Sequence, residues 1–351
     1  MNYKLRTNNG FTLIELLVAI AILAIVISFA GVIFNVSMDA QRMAMANTEI
    51  MQKLRAIINQ LNTDFKGLNK NSEILAVWVA RPLPANANFK DNDLDGYERF
   101  DRIMFFTNGD FQSYDANPAI RGNMARVCYM IAKKDNLKPG EQDRTERILA
   151  RTQHILTSDP TLPNFLDPNS FNDLQWVEWN NQYEYDKISP EAWKRIPWEN
   201  KQDMLSVITD TTVGNSTVNE QARGAMVDPA DANSIHMLLC EGVGEFKIQS
   251  WYDAEQRWIP EVDPDGDGDL SDTNFYSQDD PNVPGVLYPF PPYGGVKINH
   301  FPNYPRDEID EEHFNSIPGL GRALKFTFTL FDSRGLIKDG RTFTHIVYLD
   351  N

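Results

Sequence analysis

Between Phe11 and Phe34 the run FTLIELLVAIAILAIVISFAGVIF contains one ionisable side chain, Glu15. A charge at the centre of a bilayer costs a few kcal/mol, about 2.5–3.5 on insertion scales. Glu15 therefore needs a cationic partner, or it must snorkel to the water interface. A second chemistry is metal binding. DPDGDGDLSD sets Asp263, Asp265 and Asp267 at alternate positions, followed by Gly268 and Asp269, with Asp272 as a further candidate ligand. Calcium favours such a pattern because a hard cation takes several oxygens around a sharp turn. Position 12 of an EF-hand loop here is Asn274 rather than Glu, and Pro264 and the lack of flanking helices oppose a true EF-hand. A free-standing calcium loop and an acidic solvated turn both fit. DNDLDGYE, with Asp91, Asp93, Asp95 and Glu98, is a shorter version of the same pattern.

The two cysteines, Cys128 and Cys240, both fall in expected strands. A disulfide between them needs Cα atoms within about 7 Å, and two buried thiols are the equal alternative. The five histidines show no H-E-x-x-H spacing. No G-x-S-x-G, no phosphate-binding G-x-x-x-x-G-K and no G-x-G-x-x-G after a strand occurs. The residues thus offer no catalytic constellation.

Glu15 is positioned by a helix. Residues 11–34 form a helix of about 36 Å, enough for a hydrocarbon core of about 30 Å. Lys4 and Arg6 precede it, which keeps the N-terminus cytoplasmic and sends the remainder outward. The apolar run is too long for an ordinary secretory signal, and no A-x-A-like site ends it. The candidate cleavage point lies ahead of the run, at Gly10–Phe11. Gly10, Phe11, Thr12, Leu13, Ile14, Glu15 and Leu16, after a basic leader, resemble the class III signal of type IV pilins and type II secretion pseudopilins. The resemblance implies that a prepilin peptidase cuts after Gly10 and methylates Phe11. The new Phe11 ammonium then lies four residues from Glu15 on one helix face, and in an assembly it can meet the Glu15 of a neighbouring subunit.

The helix is expected to continue to about Leu68, for a length of about 87 Å from Phe11. The stretch after Asn35 has no Pro, and its first Gly is Gly67. Ile50, Leu54, Ile57, Ile58, Leu61 and Phe65 form an apolar stripe at 3.6-type spacing, with Arg42, Glu49, Lys53 and Asp64 assigned to the polar face. Such an amphipathic second half must pack on something. The pilin-like resemblance supplies a sheet, hence an α+β fold: a long N-terminal helix on an antiparallel head with long loop insertions. Strands are expected at 74–79, 102–106, 125–132, 147–154, 235–239 and 245–251. ALKFTFTLF and TFTHIVYL flank DSRGLIKDGR and predict a terminal antiparallel hairpin.

Many major pilins carry Pro at the position of Val32. Its absence, together with MQKLRAIINQLNTDF, RVCYMIAK, LLCEGVGEFKIQSW and LGRALKFTFTLFD in that order, is closer to the minor pseudopilins of the J class. The domain map is a leader at 1–10, a membrane helix at 11–34, its amphipathic continuation at 35–68 and an extracytoplasmic head at 69–351. Insertions fall near 82–100, 156–234 and 260–320. The second holds Trp176, Trp179, Trp193 and Trp198, which suit either a binding surface or a satellite core.

Net charge completes the reading. In 351 residues, 33 Lys and Arg face 49 Asp and Glu, for −16. That balance disfavours nucleic acid and polybasic membrane binding, both of which need clustered cations. The resemblance implies a non-enzymatic tip component of a pseudopilus that helps export folded proteins. Its partners would be I- and K-class minor pseudopilins, the major pseudopilin and secreted proteins. It implies a single-pass inner-membrane protein with a periplasmic head. A minor type IV pilin for adhesion, motility or DNA uptake is the alternative. An anchored extracytoplasmic enzyme or carbohydrate-binding module is the alternative from another class.

Overall fold

The computed structural model describes residues 12–69, 74–78, 80–82, 97–114, 119–132, 143–159, 162, 184–195, 227, 234–252, 256–259, 286–290 and 322–349. Helix α1 (Leu13–Lys66) is 54 residues long, about 81 Å. It is continuous because nothing in it breaks a helix: it has no Pro, and its lone Gly31 sits in open space. Its end is fixed by Gly67. A Cβ there would lie 2.0 Å from the Asn108 carbonyl oxygen, so only glycine admits the close approach of the strand that carries Asn108. Asn108 N–H donates to Gly67 O (2.7 Å) and Asn69 N–H to Phe106 O (2.9 Å), stitching the helix end to that strand.

The strands are β1 (Ile74–Trp78), β2 (Ala80–Pro82), β3 (Tyr97–Arg99), β4 (Arg102–Gln112), β5 (Arg121–Ile131), β6 (Ile148–Leu156), β7 (Tyr185–Asp186), β8 (Leu238–Glu241), β9 (Val243–Tyr252), β10 (Arg257–Ile259), β11 (Val286–Phe290), β12 (Ala323–Leu330) and β13 (Arg341–Tyr348). A short helix α2 (Pro190–Arg195) follows β7. The larger sheet runs β11-β1-β4-β5-β6-β7. The outer edge of β6 is shared, with β7 parallel at Ile155–Leu156 and β8 antiparallel at Ile148–Ala150. The smaller sheet, β10-β9-β12-β13, is wholly antiparallel. The two sheets meet where Asp101 N–H donates to Phe246 O (2.9 Å) and Ile248 N–H donates to the Asp101 carboxylate (2.7 Å).

Both sheets close on the second half of α1. Ala46, Ile50, Leu54, Ile57, Leu61 and Phe65 are buried at intervals of three or four, a stripe that turns one face to the core. Phe65 stacks on Phe105 at 4.3 Å and lies 5.5 Å from Phe326, so one ring touches both sheets. Phe246, Ile248 and Ser250 on β9 and Leu324, Phe326, Phe328 and Leu330 on β12 are buried on the expected faces. The larger sheet is buried on both sides: Phe105 meets the helix, while its neighbour Phe106 meets Trp193 of α2 (5.4 Å). Trp193 therefore belongs to the main core rather than a satellite. Trp176, Trp179 and Trp198 lie outside the described residues.

The expected strands stand with shifted ends, and one is replaced. β4 runs on to Gln112 across an irregularity between Asn108 and Phe111. The strand expected at 235–239 opens instead as a 3-10 turn, Ile235–Met237, closed by Met237 N–H to Ser234 O (3.0 Å). Its pairing with β6 begins only at Leu238. The turn brings Met237 into the core.

Candidate functional site: the membrane helix and its seat on the head

From Leu13 to Val36 the large apolar side chains of α1 are all exposed. The helix contains an 18-residue window of mean hydropathy 3.1, none of it buried in the molecule, and is long and apolar enough to cross a membrane. Glu15 sits at the start of this segment in a capping box. Its carboxylate accepts from Thr12 N–H and Thr12 Oγ1, each at 2.9 Å, and Thr12 Oγ1 accepts from Glu15 N–H at 3.3 Å. The arrangement satisfies two donors at the helix start and puts a negative charge at its positive end. Thr12 was legible as T-x-x-E spacing, a signal the apolar run obscured. In the single chain Glu15 is therefore held by its own N-cap. Gly10 and Phe11 lie outside the described residues.

Besides the Asn62–His345 bond (2.8 Å), the helix is seated on the head through two polar clusters. The deeper one is Asp64, which the sequence reading placed on the polar face. It is buried, because it shares the stripe of Leu61 and Phe65. Arg151 of β6 grips it with two bonds, Nε to Oδ2 at 2.7 Å and Nη2 to Oδ1 at 2.8 Å. The Tyr129 hydroxyl of β5 donates to Oδ2, and Gln60 Nε2 donates to Oδ1 at 3.2 Å. Thr107 Oγ1 donates to the Asp64 carbonyl (2.6 Å). Burial, and then the Asp64 charge, push the Tyr129 phenol well above its ordinary range, so it stays a donor. Burial alone would lower Arg151, but its bonds to Asp64 carry it above its ordinary value. No local spacing pointed to this cluster, whose Tyr129 and Arg151 are 65 and 87 residues from Asp64.

The shallower fastening joins α1 to the turn between β12 and β13. Lys53 Nζ donates to Phe331 O (2.8 Å) and pairs with Glu49 (2.9 Å). Glu49 accepts from Ser333 N–H (2.9 Å) and Ser333 Oγ (3.0 Å). Asp332 organises the turn by accepting from the N–H groups of Arg334, Leu336 and Ile337 at 3.2, 3.0 and 2.9 Å. Burial opposes the charge of both carboxylates, yet these bonds leave each below its ordinary range.

Cys128 and Cys240 are buried free thiols, which removes the candidate disulfide. Cys128 pairs across to Thr152 and Cys240 to Leu149, so β6 lies between them. Two strand spacings are about 10 Å, beyond disulfide reach. Burial pushes both thiols up to about 12, which keeps them protonated. The acidic loops at Asp263, Asp265, Asp267, Asp269 and Asp272 and at Asp91, Asp93 and Asp95 lie outside the described residues, as does the side chain of Glu98. Among the described residues no group of His, Cys, Asp and Glu converges as a metal site.

Residues 5–31 match the family model of the prokaryotic N-terminal methylation motif. That motif indicates a protein of the type IV pilin and pseudopilin type, and the long apolar helix leading into a mixed, mainly antiparallel head is consistent with the α+β pilin-like fold. No curated protein and no solved structure matches the chain.

Proposed function

We propose that this chain is a minor pseudopilin of a type II secretion system, of the J class, acting at the tip of a short helical filament. The observation that carries the reading is one helix with two fates. Its first half matches the methylation motif, is exposed throughout and holds one carboxylate; its second half is built into a β head. The helix also runs straight through Val32. In this reading a prepilin peptidase removes residues 1–10 and methylates Phe11, and Glu15 exchanges its Thr12 bonds for the Phe11 ammonium of an adjacent subunit. The head faces the periplasm, meets I- and K-class partners and the major pseudopilin, and contacts exported proteins without catalysing a reaction. The acidic loop around Asp263 is proposed as a calcium loop outside the cytoplasm, where weak calcium sites are useful.

Intact mass measurement on protein from its native membrane tests the processing step, with a chain beginning at methylated Phe11 as the expected result. Deletion of the gene tests the system. Lost export of folded proteins supports the secretion reading; lost surface pili or twitching assigns the chain to a type IV pilus instead.

A further inference from the structure

We propose that the tip of the β12–β13 hairpin, residues 333–341, is a basic foot that rests on anionic lipid headgroups beside the point where α1 enters the bilayer. This requires α1 to span a membrane and is independent of which filament the chain joins.

The direction of the hairpin follows from its contacts. His345 bonds Asn62 (2.8 Å), Phe331 O takes Lys53, and Ser333 takes Glu49. Stepping down α1 from 62 to 53 to 49 thus moves along the hairpin toward its turn, so the turn points to the end of the head from which the membrane segment emerges. Its height can be bounded. Side chains on a helix lean toward its N-terminus, so Ser333, held by the Glu49 carboxylate, lies near the level of Ala46. Ala46 is ten residues beyond Val36, the end of the exposed apolar run, which is about 15 Å. A headgroup layer occupies roughly 5–7 Å of that. What remains is close to one screening length, about 8 Å at physiological salt.

The chemistry of the tip fits that surface. In a chain of net charge −16, the tip presents exposed Arg334, Lys338 and Arg341 against one exposed acid, Asp339. Asp332 is turned inward and spent on backbone N–H groups. None of the three cations makes an ion pair among the described residues. Leu336 stands at the apex, 37% exposed. Positive φ at Gly335 and Gly340 lets the chain fold back into this compact turn. Clustered cations around an apolar side chain are drawn to anionic lipid, at about 1 kcal/mol per basic residue near the surface, or about fivefold each.

The test uses the full chain in nanodiscs made with and without phosphatidylglycerol. A nitroxide is placed at Leu336→Cys or, as a distal reference on the same strand pair, at Tyr348→Cys; both native thiols are buried. Relaxation by nickel-chelating lipid headgroups reads proximity. The expected result is strong relaxation at 336 and weak relaxation at 348, with the 336 signal dependent on phosphatidylglycerol. Arg334→Glu with Lys338→Glu should lower it by tenfold or more, with the thermal midpoint unchanged. Raising salt on the unaltered tip should do the same if those substitutions disturb the fold. Equal relaxation at both labels overturns the proposal, as does a 336 signal indifferent to lipid charge, to charge reversal and to salt.

Discussion

Asp64 occupies the stripe that packs on the sheet, and what makes a carboxylate tolerable there is the fork of Arg151 and the hydroxyl of Tyr129. Removing the carboxylate leaves the Arg151 charge and the Tyr129 hydroxyl without their partner under the helix. Asp64→Ala should therefore cost about 3–5 kcal/mol of stability, read as a lower urea midpoint. Tyr129→Phe removes one bond to a charged acceptor and should cost about 1.5–3 kcal/mol. A cost for Asp64→Ala no larger than for an exposed substitution would contradict the burial. Glu15 is the opposite case, an exposed carboxylate bonded, among the described residues, only within its own first turn. Glu15→Ala removes the N3 half of a capping box from a helix that the lipid otherwise favours. Insertion should persist in membrane fractions while cross-linking to neighbouring subunits is lost. Normal filament incorporation of the variant would defeat the proposed role of Glu15.

At the level of elements, the turn of the β12–β13 hairpin is held by two carboxylates whose folded values lie below the ordinary range: Glu49, which ties Ser333 to α1, and Asp332, which accepts from the turn's own N–H groups. A depressed folded value means that the contribution is present in full above the unfolded carboxylate range, about 4, and is lost as pH falls through the lower folded value. Amide protection at Arg334, Leu336 and Ile337, taken relative to the intrinsic exchange rate at each pH, should therefore fall below about pH 4, before protection at Phe326 and Phe328 in the strand. Simultaneous release of turn and strand would show that these carboxylates do not govern the turn. The hairpin strands, the helix stripe and the β9 face were legible because period-two and period-3.6 patterns are local. The two fastenings were not, because Asp64, Arg151 and Tyr129 come together only when the sheet forms. The turn at Ile235–Met237 was misread for a related reason. An apolar pentad looks alike in a strand and in a turn that feeds one side chain to the core.

For the whole molecule the question is how much of α1 the head needs. Every buried position of the helix lies at Ala46 or later, so the segment through Val36 contributes nothing to the fold of the head. A chain beginning at Ser37 should keep the head's thermal midpoint and become soluble without detergent. A chain beginning at Leu68 is a different object. It removes Ile50, Leu54, Ile57, Leu61 and Phe65, each worth roughly 1.5–3 kcal/mol on burial, so together about 8–15 kcal/mol. That range matches the entire stability of an ordinary domain, about 5–15 kcal/mol. It also strands Arg151 and Tyr129 without Asp64 and exposes Phe105 and Phe326 of both sheets. The shorter chain should therefore show no cooperative unfolding transition by near-UV circular dichroism, while the longer one shows the transition of the intact head. A well-folded head lacking α1 altogether would mean that the helix is an attachment rather than part of the core.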